Sequence, residues 1–379
     1  MKQKFILFVT TIFLSNVFAV ENTTTKTQSL SPEHSVEKPR PKLYDQGHKV
    51  EHKEMLPGYN APARIDIRDA WDVFVRGSFI YWQAREEGLE LATSKPETGI
   101  FLIPNSDGRI IDMRYKFKPG FKVRFGFNVD YGNWTFYGEY TRFHSSTSVS
   151  TIAPNFPTGR LNALWGIGFF GPAIPTGAVE ARGDWRLEVD LLDVEASRDF
   201  YVGTKLTFTP HFGLRSSWID QRYDARYIWS IDSGQVQTDN PSKSNTWGIG
   251  PRFGIDTNWL LVYGLRFFGS LAFNLPYTRQ EASTQEPIIS NNQNFALPAV
   301  FKEKGHYLKP STEAVGGFGW GSYFSNYKWH FDLMVAYEFH QFWNQNLMKG
   351  LAEQQAFSFS QSALDLYLHG LTVTARLDF

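Results

Sequence analysis

Gly120-Phe121-Lys122-Val123-Arg124-Phe125-Gly126-Phe127-Asn128-Val129 is the stretch that decides the fold. Phe121, Val123, Phe125, Phe127 and Val129 are apolar, while Lys122, Arg124, Gly126 and Asn128 lie between them. A period of two puts the apolar residues on one face of a strand and the charged ones on the other. The same alternation recurs in both directions along the chain. Trp185, Leu187, Val189 and Leu191 alternate with Asp184, Arg186, Glu188 and Asp190. Trp247, Ile249, Pro251, Phe253 and Ile255 alternate with Thr246, Gly248, Gly250, Arg252, Gly254 and Asp256. Trp329, Phe331, Leu333, Val335, Tyr337 and Phe339 do the same against His330, Asp332 and Glu338. From Trp259 to Tyr277 every odd position is apolar or glycine, which predicts one unbroken strand there, since a single lapse would swap the faces.

Ten such segments are predicted, near 71–84, 117–129, 134–143, 184–198, 205–223, 244–255, 259–277, 313–324, 328–343 and 364–379. Their connections alternate in length. Asp130–Asn133, Asp199–Thr204, Asp256–Asn258 and Ser325–Tyr327 are short, whereas 85–116, 144–183, 224–243, 278–312 and 344–363 are long. Short turns at one end and long loops at the other are the signature of a transmembrane antiparallel up-and-down β-barrel, with short periplasmic turns and long extracellular loops. About ten strands, an even number, return both termini to the periplasm. Hairpins hidden in 144–183 or 278–312 would raise the count to twelve or more. The alternative all-β fold is a secreted sandwich, which has no reason to mark its strand ends with indoles.

The strand ends carry those indoles. Trp71, Trp134, Trp259 and Trp329 begin outward strands, and Trp185, Trp218 and Trp247 stand near the other end, so they read as two membrane-interface girdles. The last strand runs Leu371, Val373, Ala375, Leu377 and Phe379 against Thr372, Thr374, Arg376 and Asp378. It ends on an aromatic residue, like the C-terminal signal that the barrel assembly machinery reads, so Phe379 is the expected assembly signal.

The N-terminal part reads differently. Lys2 and Lys4 precede an apolar stretch, Phe5 to Phe18, and Val17-Phe18-Ala19 has the form of a signal-peptidase site, so residues 1–19 read as a cleaved export signal. Residues 20–69 are polar and lack the apolar content for a core, so they read as a disordered periplasmic segment ahead of a barrel over 70–379. Composition agrees with strands: 33 Phe, 17 Tyr and 12 Trp stand against only 5 Met, although a mean hydropathy of −0.33 looks soluble. The 38 basic and 38 acidic residues cancel, which gives no reason to expect nucleic acid as a partner. There is no cysteine, which excludes disulfides, thiolate metal sites and a cysteine nucleophile.

Several segments carry a resemblance. Phe79-Ile80-Tyr81-Trp82-Gln83-Ala84-Arg85-Glu86-Glu87, Pro119-Gly120-Phe121-Lys122-Val123, Phe200-Tyr201-Val202-Gly203, Pro210-His211-Phe212-Gly213-Leu214-Arg215, Trp218-Ile219-Asp220-Gln221 and Thr257-Asn258-Trp259-Leu260-Leu261 occur in order between about Trp71 and Phe379. As a set they resemble the MOMP-like pore-forming outer-membrane proteins of Legionella and of environmental relatives of the chlamydiae. The resemblance implies a pore-forming outer-membrane barrel of a Gram-negative bacterium and transfers no catalytic residue. Classical members use cysteine cross-links, and this chain has none to offer.

If the apolar face meets lipid, the other face lines the interior. That face predicts as pore-lining Arg76, Lys122, Arg124, Glu139, Arg186, Glu188, Asp190, Arg215, Arg252, Asp256, Arg266, Asp332 and Glu338. Mixed charges suit either a water-filled constriction or a lumen plugged by cross-paired ions. The expectation is a porin-like pore for small hydrophilic solutes or ions; the alternative is a closed structural or adhesive barrel acting through loop aromatics such as Phe156, Trp165, Phe169, Phe170 and Phe295. No enzyme, metal or cofactor is expected. The nine histidines form no His-Glu-x-x-His motif, and His144 with Glu139 or His340 with Glu338 offers only a distant likeness to outer-membrane proteases. The expected partners are outer-membrane lipid, the assembly machinery and, as for many porins, further copies of the chain.

Overall fold

The computed structural model describes residues 61–68, 71–95, 108–154, 159–165, 177–231, 234–289, 296–355 and 364–379. The export signal and residues 20–60 lie outside them. Among the described residues there are sixteen strand segments. They are β1 (Val73–Glu86), β2 (Ala92–Lys95), β3 (Arg109–Ile111), β4 (Phe117–Val129), β5 (Trp134–Ile152), β6 (Arg160–Ala163), β7 (Ala178–Arg198) and β8 (Phe200–Tyr201). They continue as β9 (Leu206–Ile231), β10 (Gly234–Leu260), β11 (Leu265–Asn274), β12 (Tyr277–Ile289), β13 (Ala296–Leu308), β14 (Ser311–Phe324), β15 (Trp329–Phe342) and β16 (Leu366–Asp378). One helix, α1 (Leu347–Gln355), lies between the last two strands.

The pairings close a ring, antiparallel throughout. β1 pairs β4, then follow β5, β7, β9 and β10. β10 is long enough to pair β11 along one half and β12 along the other. β11 pairs β14 and β12 pairs β13, then β14 pairs β15, β15 pairs β16, and β16 returns to β1. β2, β3 and β6 pair among themselves and join the ring by strand pairing only where Leu161 meets Ala178 of β7. Each of the strands from β1 through β4, β5, β7, β9, β10, β11, β14, β15 and β16 has a partner on both sides, which a sheet surrounded by lipid requires, while β13 pairs only β12.

The exterior is divided into two zones. On β10 the outward residues from Trp259 to Trp247 include Phe253, Pro251 and Ile249, all exposed and apolar. Twelve residues at about 3.4 Å each, tilted about 40°, span about 30 Å. That is the height of a lipid-facing band between two aromatic girdles. Trp218 and Trp247 are directly opposed and 39% and 43% exposed, which marks the upper edge. Beyond them β9 runs on for thirteen residues to Ile231, and there its outward positions are Asp220, Arg222, Asp224 and Arg226. Same-face ion pairs lace this upper wall, including Arg182–Asp184 (2.9 Å), Arg222–Asp224 (2.9 Å) and Arg279–Glu281 (2.6 Å).

The interior reverses at the same level. Within the band it is polar and charged; above it is an apolar core. β7 shows the switch most directly. Leu191 is 1% exposed and its neighbour Leu192 is 41% exposed. Below the switch Asp193, Glu195 and Ser197 face inward; above it Val189, Leu187 and Trp185 do. The backbone alternation does not lapse at the switch. The residue types exchange faces because the solvent outside changes from lipid to water. This core joins Ile80, Trp82, Phe143, Tyr223 and Tyr227 to inward-folded pieces of the connections, Leu89, Leu91, Leu161 and Trp165.

Two sequence expectations change here. The segment 259–277 is not one strand: β10 continues to Leu260, and Leu261–Gly264 turn into β11. The hairpin joins Trp259 to Phe267 and Leu260 to Arg266, so odd residues face odd residues and the phase survives the turn. That is why the alternation looked unbroken. The turn itself needs positive φ at Tyr263 (54°) and Gly264 (80°). Second, two of the five expected long loops are largely strand. The 224–243 loop is the upper half of the β9–β10 hairpin, and 278–312 contains β12 and β13. The segment just ahead of β1 is held against the barrel. Residues 61–68 are seated on it: Ala63 N donates to Asp199 O (3.2 Å), Tyr201 N donates to Ala61 O (2.9 Å), and Arg68 N donates to Tyr327 O (2.9 Å). This strap therefore links the β7–β8 turn to the β14–β15 turn at the short-turn end.

Candidate functional site: the charged lumen

Directly opposed residues make an inward-facing row of charge across seven neighbouring strands. Asp332 opposes Arg376, Arg376 opposes Arg76, Arg76 opposes Arg124, and Arg124 opposes Glu139. Glu139 opposes Asp193, and Asp193 opposes Arg215. Inside a ring, an unpaired charge costs several kcal/mol in lost hydration, so partners are expected. They are present. Lys122 Nζ meets Glu338 Oε2 at 2.6 Å, Arg124 Nε meets Glu139 Oε2 at 2.7 Å, and Arg266 Nη1 donates to Asp332 Oδ1 at 3.0 Å. Arg215 grips Asp193 with two parallel bonds, Nε to Oδ1 (2.5 Å) and Nη2 to Oδ2 (2.6 Å), and its third nitrogen meets Glu313. Arg252 links the same Glu313 (2.7 Å) to Glu195. Arg376 folds back on Asp378 (2.9 Å from Nε). Two buried imidazoles complete the mesh: His211 Nδ1 lies 3.1 Å from Glu195, and His340 lies 3.1 Å from Glu338 and 3.3 Å from Glu313.

Of the predicted pore-lining residues, Arg76, Lys122, Arg124, Glu139, Arg215, Arg252, Asp256, Arg266, Asp332 and Glu338 face this lumen. Arg186, Glu188 and Asp190 do not. They sit on the outer face of β7 above the apolar band, beside the inward Leu187 and Val189. Trp185 is likewise no girdle residue. It is fully buried, donates from Nε1 to Gln221 Oε1 (3.1 Å), and meets the Tyr115 ring edge-on. All four misplacements have one cause: the rule that a strand's apolar face meets lipid was carried above Leu191, where the apolar face of β7 is the inward one. Sequence reasoning also missed Asp193, Glu195 and Glu313. The adjacent pair Leu191-Leu192 was the available signal, since two neighbouring apolar residues straddle a change of face. The girdle residues Trp218, Trp247, Trp259 and Trp329 are exposed, and Trp329 stacks on Phe379 at 5.5 Å. Trp71 lies just before β1, and Trp134 is half-buried against Phe212. His144 points outward and Glu139 inward, so they form no pair.

A cavity of about 210 Å³ occupies the lower half of the lumen, lined by Arg76, Lys122, Arg124, Arg252, Arg266 and Arg376 among others. The strap contributes Ala63, Arg64 and Ile65 to its wall. Arg64 is buried and pairs with Asp130 and, at 3.7 Å, Asp72. Above the cavity the apolar core fills the ring. Trp165 folds inward, and its Nε1 donates to Glu90 O (3.1 Å). Phe156, Phe169, Phe170 and Phe295 lie outside the described residues. Tyr115, between β3 and β4, donates to Glu86 O (2.7 Å), and burial raises its phenol well above the usual range, so it remains a donor. Among the described residues no group of His, Asp and Glu has the form of a metal site.

A closed antiparallel ring with an apolar outer band, aromatic edges and a polar interior defines an outer-membrane β-barrel. The chain belongs to the family described as the Legionella pneumophila major outer membrane protein precursor, which matches residues 66–379. No curated protein matches it. Among solved structures it is similar to the Pseudomonas putida toluene transporter TodX, at 8% identity and a TM-score of 0.30, covering 81% of this chain and 89% of that one. A FadL homologue of Pseudomonas aeruginosa is matched at 8% identity and a TM-score of 0.26, with 81% and 89% covered. The attachment invasion locus protein Ail of Yersinia pestis is matched at 13% identity and a TM-score of 0.15, with 55% and 99% covered.

Proposed function

We propose that this barrel is a porin-like, non-enzymatic pore for small hydrophilic solutes or ions, with its outer half acting as a gate. The observation that carries the reading is the row of ionised residues facing a cavity within the lipid-facing band. A barrel built only as a wall could fill that space with apolar side chains more cheaply than with paired ions. β11 with β12, and β13 with β14, are read as single staves interrupted at Leu275-Pro276 and Lys309-Pro310, which gives ten membrane-crossing strands. In this reading the short turns and the strap are periplasmic, and the β9–β10 and β12–β13 hairpins stand outside the cell. Export by the signal at 1–19 and assembly through the terminal strand belong to the same proposal; the stacking of Phe379 on Trp329 supports the latter.

A second reading, a closed surface barrel acting through its outer half, is favoured by the packed core above the cavity. Single-channel conductance of the refolded protein in a planar bilayer separates the two. Discrete steps that scale with salt support the pore. A heat-modifiable, fully folded barrel that gives no steps at any voltage overturns it in favour of the surface barrel.

A further inference from the structure

Arg376, Arg76 and Arg124 stand side by side on β16, β1 and β4. Directly opposed residues on neighbouring strands have their Cβ atoms about 5 Å apart, and like charges so placed repel. Two of the three are compensated. Arg376 binds Asp378 and lies 4.0 Å from the centroid of the Phe74 ring; Arg124 binds Glu139 and lies 4.1 Å from that of the Tyr137 ring. Arg76, between them, has no hydrogen bond or ion pair among the described residues, and its Nε is sealed from solvent without an acceptor. The nearest carboxylates are already engaged, Glu139 by Arg124 and Asp332 by Arg266. A cationic centre with unused donors, flanked by cations and facing a cavity, is the inverse image of an anion.

We propose that Arg76 is the centre of an oxyanion-binding site in the lower lumen, which takes a phosphate-like solute between the three guanidinium groups. Arg76 supplies the donors of its two terminal nitrogens, Nη1 and Nη2, neither of which is sealed as Nε is. Arg124 uses only Nε on Glu139, and Arg376 uses Nε and Nη2 on Asp378, so each keeps terminal N–H groups for the cavity side. One row higher, the hydroxyls of Ser78 and Thr374, 2.8 Å apart, and the ammonium of Lys122 border the same cavity. A tetrahedral oxyanion matches this arrangement better than chloride does, because its several oxygens accept from separate forks at once. The site deepens the pore reading by naming the solute class, and it requires the lumen only to admit water, not to conduct.

The test uses the full-length folded barrel in detergent, titrated with inorganic phosphate and followed by its unfolding midpoint, with chloride at matched ionic strength as the control. Wild type is expected to gain stability saturably with phosphate and at least tenfold less sensitively with chloride. Arg76→Gln relieves the repulsion, so in anion-poor buffer it is expected to match or exceed wild type in stability while losing the phosphate response. Arg76→Lys keeps the charge but not the fork and should show a weakened response. A phosphate effect equal to that of chloride, or one retained in Arg76→Gln, overturns the site. A protein that conducts but ignores phosphate would overturn the site alone, and one that binds phosphate but never conducts would overturn the pore alone.

Discussion

Arg215→Met asks whether the charged lumen is dry or wet. Arg215 is buried, is the only cation within ion-pair distance of Asp193 among the described residues, and shares Glu313 with Arg252 and His340. The methionine fills much of the same volume but leaves Asp193 without a cation. In a water-poor interior, breaking such a pair costs about 3–5 kcal/mol, because the abandoned carboxylate remains buried. In a solvated channel the same pair is worth about 0–1 kcal/mol. The assay is urea unfolding of the barrel in lipid vesicles. With a slope of about 2–3 kcal/mol per molar, the dry case shifts the midpoint down by about 1–2 M and the wet case by less than about 0.5 M. A double variant, Arg215→Met with Asp193→Leu, should recover most of the loss, since removing both charges is far cheaper than removing one. A single variant within 1 kcal/mol of wild type, or a double variant that costs the sum of the two singles, would refute a dry, interlocked network.

Two further outcomes follow from the geometry. Because the chain has no cysteine, single cysteines report faces without background. Arg186→Cys should react with a membrane-impermeant maleimide on intact cells and Leu187→Cys should not; the reverse pattern would place the apolar face of upper β7 outside. Arg64→Ala should loosen the strap, seen as faster tryptic cleavage after Arg68 in the folded barrel, with a stability loss of about 1–3 kcal/mol from the exposed Asp130 and Asp72 partnerships. Unchanged cleavage would mean that the backbone bonds at Ala63 and Arg68 hold the strap without it.

The barrel was legible because its alternation lies along single strands. Phe121 to Val129 shows its two faces in sequence alone, and nothing distant alters them. The turn at Leu261–Gly264 was hidden because a hairpin that pairs odd residues with odd residues leaves no mark in the pattern. Period-two reasoning says which residues share a face, but not which solvent that face meets. Leu187 and Asp193 share the inward face of β7, yet one joins the apolar core and the other the charge mesh, and only the level along the strand tells their surroundings apart. The ion pairs were not readable at all. Arg252 and Glu313 are far apart in sequence and meet through the curvature of the closed ring.

The exchange of faces at Leu191 and Leu192 also divides the freedom of the chain to vary. Below it, an outward position must stay apolar to remain in lipid, while the inward one is tied into a charge mesh. Above it, the inward positions are constrained by packing, and outward ones such as Arg186, Asp220, Arg222 and Lys243 are exposed. Half the residues in the part of the tallest hairpin above the band can therefore drift with little effect on folding. A protein of this shape can change what it displays to its surroundings, residue by residue, while everything that holds it up stays fixed.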